Sequence, residues 1–175
     1  MGTEGSFSEK MRRDRLVFYA DDVGRIDEVL AGFLKRSQAR CVLVIDLEGH
    51  LVTQAGFVDG LDTTSIAALV AGSFASTREV ARKLGETEFS VLFHQGANEN
   101  IHISLVSNRA LAVIIFDDRT TIGMVRLYAG EVVQSLGTIL DDINVRQERE
   151  GGHVGMGKEY TDAASAQVDS FFAEE

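Results

Sequence analysis

The chain has 175 residues and carries 17 Lys and Arg against 27 Asp and Glu, a formal charge of −10. It therefore lacks the cationic field by which general nucleic-acid binders and binders of anionic membranes attract their partners. Its single cysteine excludes an internal disulfide framework and a cysteine zinc cluster. With no apolar run near the ~20 residues that span a bilayer and no secretory signal, the sequence predicts an acidic, cytoplasmic globular protein.

The two ends of the chain differ from the middle, because both are polar and rich in Gly, Ser or Ala. Such segments bury little apolar surface and are typical of flexible tails. The expected domains are a flexible N-terminal arm over 1–17, a folded domain over 18–146, a flexible linker over 147–160 and a C-terminal amphipathic segment over 161–175.

The hydrophobic periodicity changes several times within the folded part. It predicts, in chain order, a helix over 23–37, strands over 41–47 and 50–57, a helix from the N-cap Asp62 to Leu84 with Gly85 as its C-cap, strands over 88–94, 100–107 and 111–116, and a last helix from about 118–121 to 145. The expected fold class is α/β, in the order α-β-β-α-β-β-β-α.

The first and fifth strands are apolar on both faces, so we expect them at the centre of the sheet and the second and third at its edges. The third strand keeps Phe89, Val91 and Phe93 on one side and has neither Pro nor Lys to protect it. An unprotected apolar edge is an aggregation hazard unless it is paired. This pattern predicts a homodimer formed through residues 88–94. The alternative is a short strand covered by a loop.

The second helix carries two kinds of surface. One, expected to cover the sheet, contains Ile66, Leu69, Val70, Ser73, Thr77, Val80 and Leu84. The other consists of small residues that let another backbone approach closely, namely Ala67, Ala68, Ala71, Gly72, Ala75 and Ser76. Phe74 lies between them and favours a contact surface over the alternative, a helix that is simply rich in good helix formers.

Residues 152–158 have the G-x-x-x-x-G-K spacing of a phosphate-binding loop. Such a loop follows a buried strand, whereas residues 146–150 are charged or polar. Glu159 also stands where Ser or Thr would bind Mg²⁺. We interpret this stretch as a flexible glycine linker.

The other candidate groups are better explained by structural roles than by catalysis or metal binding. His94 and His102 flank one hairpin but lack a third metal ligand, and Cys41 lies in an apolar strand where it packs as a small hydrophobe. The last helix is preceded by the paired carboxylates Asp117 and Asp118. We expect Asp118 or Thr120 to cap the helix and the acidic charges to favour its dipole, rather than the pair to act as acid and base. The sequence therefore predicts no catalytic residue, no metal and no cofactor.

The C-terminal segment places Val168, Phe171 and Phe172 at i, i+3 and i+4 among acidic neighbours. An amphipathic segment of this length is too short to be a stable free helix in water. Such segments usually fold onto a groove of a partner protein. The alternative is a disordered tail with three stray apolar residues.

Several segments together resemble the Roadblock family (dynein light chain type), and within it the MglB-type regulators of the bacterial Ras-like GTPase MglA. They are VIDLEGHLVTQAG (44–56), LDTTSIAALVAGSFAS (61–76), LGETEF (84–89), HQGANENIHISLVSNR (94–109) and IIFDDRTTIGMVRL (114–127). The terminal VDSFFAEE (168–175) resembles the short acidic helix that ends such chains.

The resemblance implies a five-stranded antiparallel sheet between helices and a homodimer that pairs through the third strand and second helix. It also implies one small Ras-like GTPase bound per dimer across the paired second helices. Regulators of this type accelerate GTP hydrolysis without an arginine finger, so Arg119 acquires no such role. Their terminal helix is thought to bind a second face of the GTPase.

When the family's contact positions are transferred residue by residue to this sequence, the resemblance implies that the GTPase-facing positions are Ala68, Gly72, Ala75, Ser76 and Glu79. The sequence departs from the family's run of small residues at Arg78-Glu79.

The expected function is therefore a GTPase-activating protein for an MglA-type GTPase that regulates cell polarity or motility, acting in the cytoplasm with a cell pole as one location. One alternative is an adaptor of the same fold that binds a GTPase without stimulating hydrolysis. Another is a small-molecule sensor, which requires a polar-lined pocket that the sequence does not indicate.

Overall fold

A computed structural model of the protein describes residues 20–151. In chain order it contains α1 (Ala20–Ser37), β1 (Cys41–Asp46), β2 (Leu51–Gly56), α2 (Thr63–Lys83), β3 (Val91–Gln95), β4 (Asn100–Val106), β5 (Ala110–Phe116) and α3 (Ile122–Gly151). The predicted order of helices and strands is confirmed. The arm over 1–17 and the segment over 161–175 lie outside the described residues.

The chain divides into two compact units, one of which is Phe18–Asp141. That unit holds every element except the end of α3. In the other unit, the described residues 142–151 continue the helix, which ends at Gly151 rather than near 145 as predicted. Residues 146–150 are Arg, Gln and Glu, which are good helix formers. No helix among the described residues combines the length and the apolar character that a bilayer crossing requires.

The five strands form one antiparallel sheet in the order β2-β1-β5-β4-β3. All seven residues of β5 are buried, as are the first five of β1. Strands flanked on both sides and apolar on both faces belong in the middle of a sheet. The prediction that β2 and β3 are the edges is confirmed.

One face of the sheet packs against α2. The shared core on this side contains Leu43, Ile45, Ala67, Val70, Ala71, Phe74, Ile103, Leu111 and Val113. The opposite face carries Val42, Val44 and Ile114. There the α3 residues Ala129 and Val133 line a cavity together with His102 of β4.

The prediction of which side of α2 faces the sheet is wrong for several residues. Leu69, Val80 and Leu84 are exposed by 73%, 58% and 78%, whereas the small Ala67 and Ala71 are buried. Phe74 is only 2% exposed and therefore belongs to the core, not to a contact surface. Val70 is buried as predicted, and Ile66 packs against the core from its margin.

The reason for the reversal is the close approach of α2 to the turn between β1 and β2. Gly49 in that turn has φ +94°, and a Cβ built on it would lie 2.8 Å from the Cα of Ala68. Only a glycine tolerates both the left-handed backbone and the contact. A helix held this close presents small side chains to the sheet, so the larger Leu69 turns outward.

The two ends of α2 follow the predicted signals. Asp62 Oδ1 accepts the backbone N–H of Ser65 at 3.1 Å, and its Oδ2 accepts the Ser65 hydroxyl at 2.6 Å. The side-chain hydrogen bond from Ser65 is the main cause that lowers the pKa of the Asp62 carboxyl. Past the other end, Gly85 has φ +85°, the left-handed conformation that commonly follows a helix.

The third strand begins later than predicted, at Val91. Phe89 precedes it and packs against Phe74 with ring centroids 5.1 Å apart. Phe93 instead stacks on Phe116, with centroids 6.2 Å apart. The expectation that Phe89 and Phe93 share one side is wrong, because Phe89 belongs to the α2 core and Phe93 lies on the opposite face.

The buried position of Phe74 leads to a stability prediction. Phe74→Ala removes a core ring and its partner contact, so we expect the free energy of unfolding to fall by about 3–5 kcal/mol. Leu69→Ala, at an exposed site of the same helix, should cost less than about 1 kcal/mol. Chemical denaturation of both variants checks this, and equal losses would contradict the assignment of the buried side.

Candidate functional site

One of the two edges of the sheet is β3, which pairs only with β4 among the described strands. The backbone N–H of Leu105 donates to the carbonyl of Ser90 at 2.8 Å. Alternate residues of an antiparallel pair share ladder hydrogen bonds, so the backbone groups of Val91 and Phe93 are directed to the open side. The Val91 side chain is 43% exposed. This edge is a template for a further strand.

A second exposed surface runs along α2. The five positions that the family resemblance assigns to GTPase contact, Ala68, Gly72, Ala75, Ser76 and Glu79, are all exposed, and we call them the outer surface of α2. Helical spacing places them on one side of the helix. A Cβ added at Gly72 would meet no described atom within 4 Å outside the local helix backbone. Their role in binding stays a prediction.

Two local interactions shape the outer surface of α2. The Ser76 hydroxyl donates to the Gly72 carbonyl at 2.9 Å. Glu79 pairs with Arg82 at 2.8 Å and with Lys83 at 3.8 Å. Exposed pairs at this spacing contribute only a few tenths of a kcal/mol to helix stability. The outer surface of α2 therefore has small side chains at its centre and a charged group at one end.

The residues before α3 form a turn, not a reactive pair. Asp117 Oδ1 accepts the backbone N–H of Arg119 at 3.1 Å and its Nε–H at 2.8 Å. The hydrogen bond from the Arg119 side chain is the main cause that lowers the pKa of the Asp117 carboxyl. The helix is capped by Thr121, whose Oγ1 accepts the Met124 N–H at 3.3 Å. Capping is thus confirmed, but by Thr121 and not by Asp118 or Thr120.

His94 and His102 cannot share a metal, because they lie on opposite faces. In the β3–β4 register, His94 pairs with Ile101 and His102 pairs with Phe93, and neighbouring positions of a strand alternate between faces. Cys41 is fully buried, and burial raises its pKa to about 11. It therefore remains a thiol, with little nucleophilic or metal-binding capacity.

One exposed turn groups side chains that could hold a cation. Asp46, Glu48 and His50 each bring one ligand atom within 4.8 Å of the others. Asp46 Oδ1 already accepts the backbone N–H groups of Glu48 and His50 at 2.9 and 2.8 Å. These bonds give the acidic side chain a structural role in the β1–β2 turn. The alternating D-x-E-x-H pattern over residues 46–50 is the sequence signal for this group.

The buried polar pair His102–Ser104 was also missed. Both side chains lie on β4 in the face covered by α3, and their relative exposures are 2% and 4%. Ser104 Oγ and His102 Nε2 form a hydrogen bond 2.9 Å long. Burial, followed by the charge of Arg126, lowers the pKa of His102 to about 4. Alternation of Ile101, Ile103 and Leu105 with these polar residues was the available signal.

Two further predicted sites fall outside the described residues. They are the glycine-rich stretch 152–158 and the C-terminal partner-binding residues Val168, Phe171 and Phe172.

Residues 25–116 match the model of the Roadblock/LC7 domain family, and the chain belongs to this family. Among solved structures it is similar to MglB of Myxococcus xanthus, at 35% identity over 73% of this chain and 96% of that one, with a TM-score of 0.68. The gliding protein MglB of Thermus thermophilus is 30% identical over the same shares, with a TM-score of 0.68. The comparison with curated proteins gave no match.

A third structure, of MglB with a tetrameric arrangement, is 29% identical over 73% of this chain and 96% of that chain, with a TM-score of 0.70. A Roadblock/LC7 domain from Streptomyces avermitilis is 11% identical with a TM-score of 0.52, covers 69% of this chain and 95% of its own, and shares the fold alone. The expected resemblance to MglB-type proteins is confirmed.

The low pKa of His102 predicts a pH dependence of stability. In the unfolded chain the imidazole takes up a proton near its ordinary pKa of 6.5, whereas in the folded protein it does so only near 4. The unfolded state therefore binds more protons in this window, and the free energy of unfolding falls as the pH falls through it.

We expect the residue to contribute a loss of about 3 kcal/mol between about pH 7 and about pH 4. Denaturation of His102→Gln at both pH values should show a smaller loss than the native chain. His94→Gln controls for removal of an exposed imidazole. A loss in His102→Gln as large as in the native chain would contradict the prediction.

Proposed function

We propose that the protein is a homodimeric regulator of a small Ras-like GTPase of the MglA type, and that it accelerates GTP hydrolysis without an active site of its own. The proposal rests on membership of the Roadblock/LC7 family and on similarity to MglB structures over 73% of the chain. The observation that carries it is the exposed surface of small residues on α2. Such a surface lets another protein's backbone approach closely.

The mechanism follows from what this surface offers. Ala68, Gly72 and Ala75 present no group that could transfer a proton or attack a phosphate. The Ser76 hydroxyl is hydrogen-bonded to the Gly72 carbonyl and Glu79 is paired with an arginine of the same helix, so we attribute the acceleration to the GTPase's own residues. A regulator of this kind acts by differential affinity: it binds the hydrolysis-competent arrangement of the switch segments better than the others. Binding energy then raises the population of that arrangement.

Self-association supplies the second half of the proposed assembly. The open β3 edge accepts a strand from a second copy, and exposed Leu69, Val80 and Leu84 leave apolar surface on the adjoining helix. A related MglB structure has a tetrameric arrangement. We propose one GTPase per dimer. The C-terminal segment with Val168, Phe171 and Phe172 is proposed to contact a second face of the GTPase and affect exchange.

The related Thermus protein is a gliding protein, which supports a role in motility or cell polarity for this chain. The location follows that of the GTPase, in the cytoplasm and at a pole when the GTPase is polar.

Ala75→Arg tests the GTPase surface. A long cation at the centre of a small-residue contact obstructs close approach, so stimulation of single-turnover GTP hydrolysis should fall at least about tenfold. Gln134→Arg, on an exposed position of α3, is the matched control and should leave stimulation unchanged. Unaltered stimulation by Ala75→Arg would refute the site, and binding by the native chain without any stimulation would favour the adaptor function.

Val91→Pro tests pairing through β3. Because the Val91 N–H is directed to the open side, proline removes an outward donor and leaves the β3–β4 ladder in place. We expect sedimentation to show a monomer at concentrations where the native chain is a dimer. Val91→Thr keeps the N–H and should stay dimeric. A dimeric Val91→Pro variant would show that another surface mediates association.

A further inference from the structure

A cavity of about 390 Å³ lies between the β3–β4 hairpin and α3. Its apolar walls include Val91, Ala129 and Val133, and its polar groups include His102, Ser104 and Arg126. Small-molecule sites are typically apolar hollows of about 300–1,000 Å³ with a few placed polar groups. The cavity has both properties, and it lies on the face of the sheet opposite to α2.

The polar part of the cavity is unusual for a structural core. His102 and Ser104 are more than nine-tenths buried, and they bond to each other through His102 Nε2. The remaining ring nitrogen, Nδ1, is buried and has no hydrogen-bond partner among the described residues. Buried polar atoms are nearly always paired, so each exception calls for an explanation. A bound group that bonds to His102, after a small rotation of the ring, provides one.

The charges around the cavity select the kind of group. Arg126 is the ionised side chain of the lining, and no carboxylate of the described residues lines the cavity. Within residues 20–151, no Asp or Glu forms an ion pair with Arg126. The chain as a whole has a net charge of −10, yet Arg126 lies beside an apolar cavity with no carboxylate of the described residues to neutralise it. This combination favours a singly charged anion with an apolar body.

We propose that this cavity binds a small organic carboxylate, with its head at Arg126 and His102 and its apolar body against Ala129 and Val133. The neutral imidazole has one protonated nitrogen, which donates to a carboxylate oxygen, while the guanidinium supplies the charge. Phosphate esters fit less well, because the described residues of the lining hold one cation, Arg126, against the two negative charges of a dianion. The proposal is independent of GTPase regulation.

The test uses the full-length chain with labelled Ala and Val methyl groups and hexanoate as the probe. Hexanoate should shift the Ala129 and Val133 methyl signals in a saturable way, with a Kd of about 1 mM for so small a ligand. Hexanamide has the same size without the charge and should bind at least about tenfold more weakly, as should hexanoate to Arg126→Gln. Equal affinity in either comparison would overturn carboxylate recognition.

Gly130→Leu tests the location of the site without relying on a buried substitution. A Cβ at Gly130 meets no described atom within 4 Å beyond the local helix backbone, so leucine extends into open space and also favours the helix. It should abolish the hexanoate shifts. Gly24→Leu, at an equally open glycine of α1, should preserve them. Shifts that persist in Gly130→Leu, or native protein that shows none, would refute the proposal and leave water as the occupant.

Discussion

The arrangement of the molecule depends on one close contact, that between the β1–β2 turn and α2. Gly49 lies where a Cβ would be 2.8 Å from the backbone of Ala68, so the helix is held as near to the sheet as its small side chains allow. Ala67 and Ala71 then fill the gap, and Phe74 reaches deep enough to meet Phe89. The same contact turns Leu69 and the small outer residues toward solvent, where a partner can reach them.

This packing suits the regulatory function proposed above. The Gly, Ala and Ser residues of the outer surface of α2 lose little side-chain entropy when another protein covers them, so this surface can discriminate between conformations by shape. The neighbouring β3 edge offers backbone hydrogen bonds that are specific in direction but tolerant of sequence. Together the two surfaces are suited to recognising the shape of a partner protein, as the proposed function requires.

The sequence alone predicted the element order, both sheet edges and the Asp62 cap, because these depend on local periodicity and on residues that act close by. The prediction failed where contacts between distant elements determine which side chains are buried. Leu69 is more hydrophobic than Ala67, yet only the smaller residue fits against the sheet beside the Gly49 turn. The His102–Ser104 pair was also missed, since alternation on β4 shows that the two share a face but not that α3 buries it. The expectation that the outer surface of α2 faces a GTPase rests on the family resemblance and not on physical patterning.

The open edge and the cavity are not separate in space, because Ser90 and Val91 begin the edge and also line the hollow. A strand added to β3 restrains the backbone of these residues, and a molecule in the cavity contacts the same segment from the covered face. Thermodynamic linkage requires that any effect of one event on the affinity of the other be reciprocal and equal. Self-association and cavity occupancy would thus meet at a single segment, whereas cavity occupancy would affect the outer surface of α2, on the other side of the sheet, only through the core.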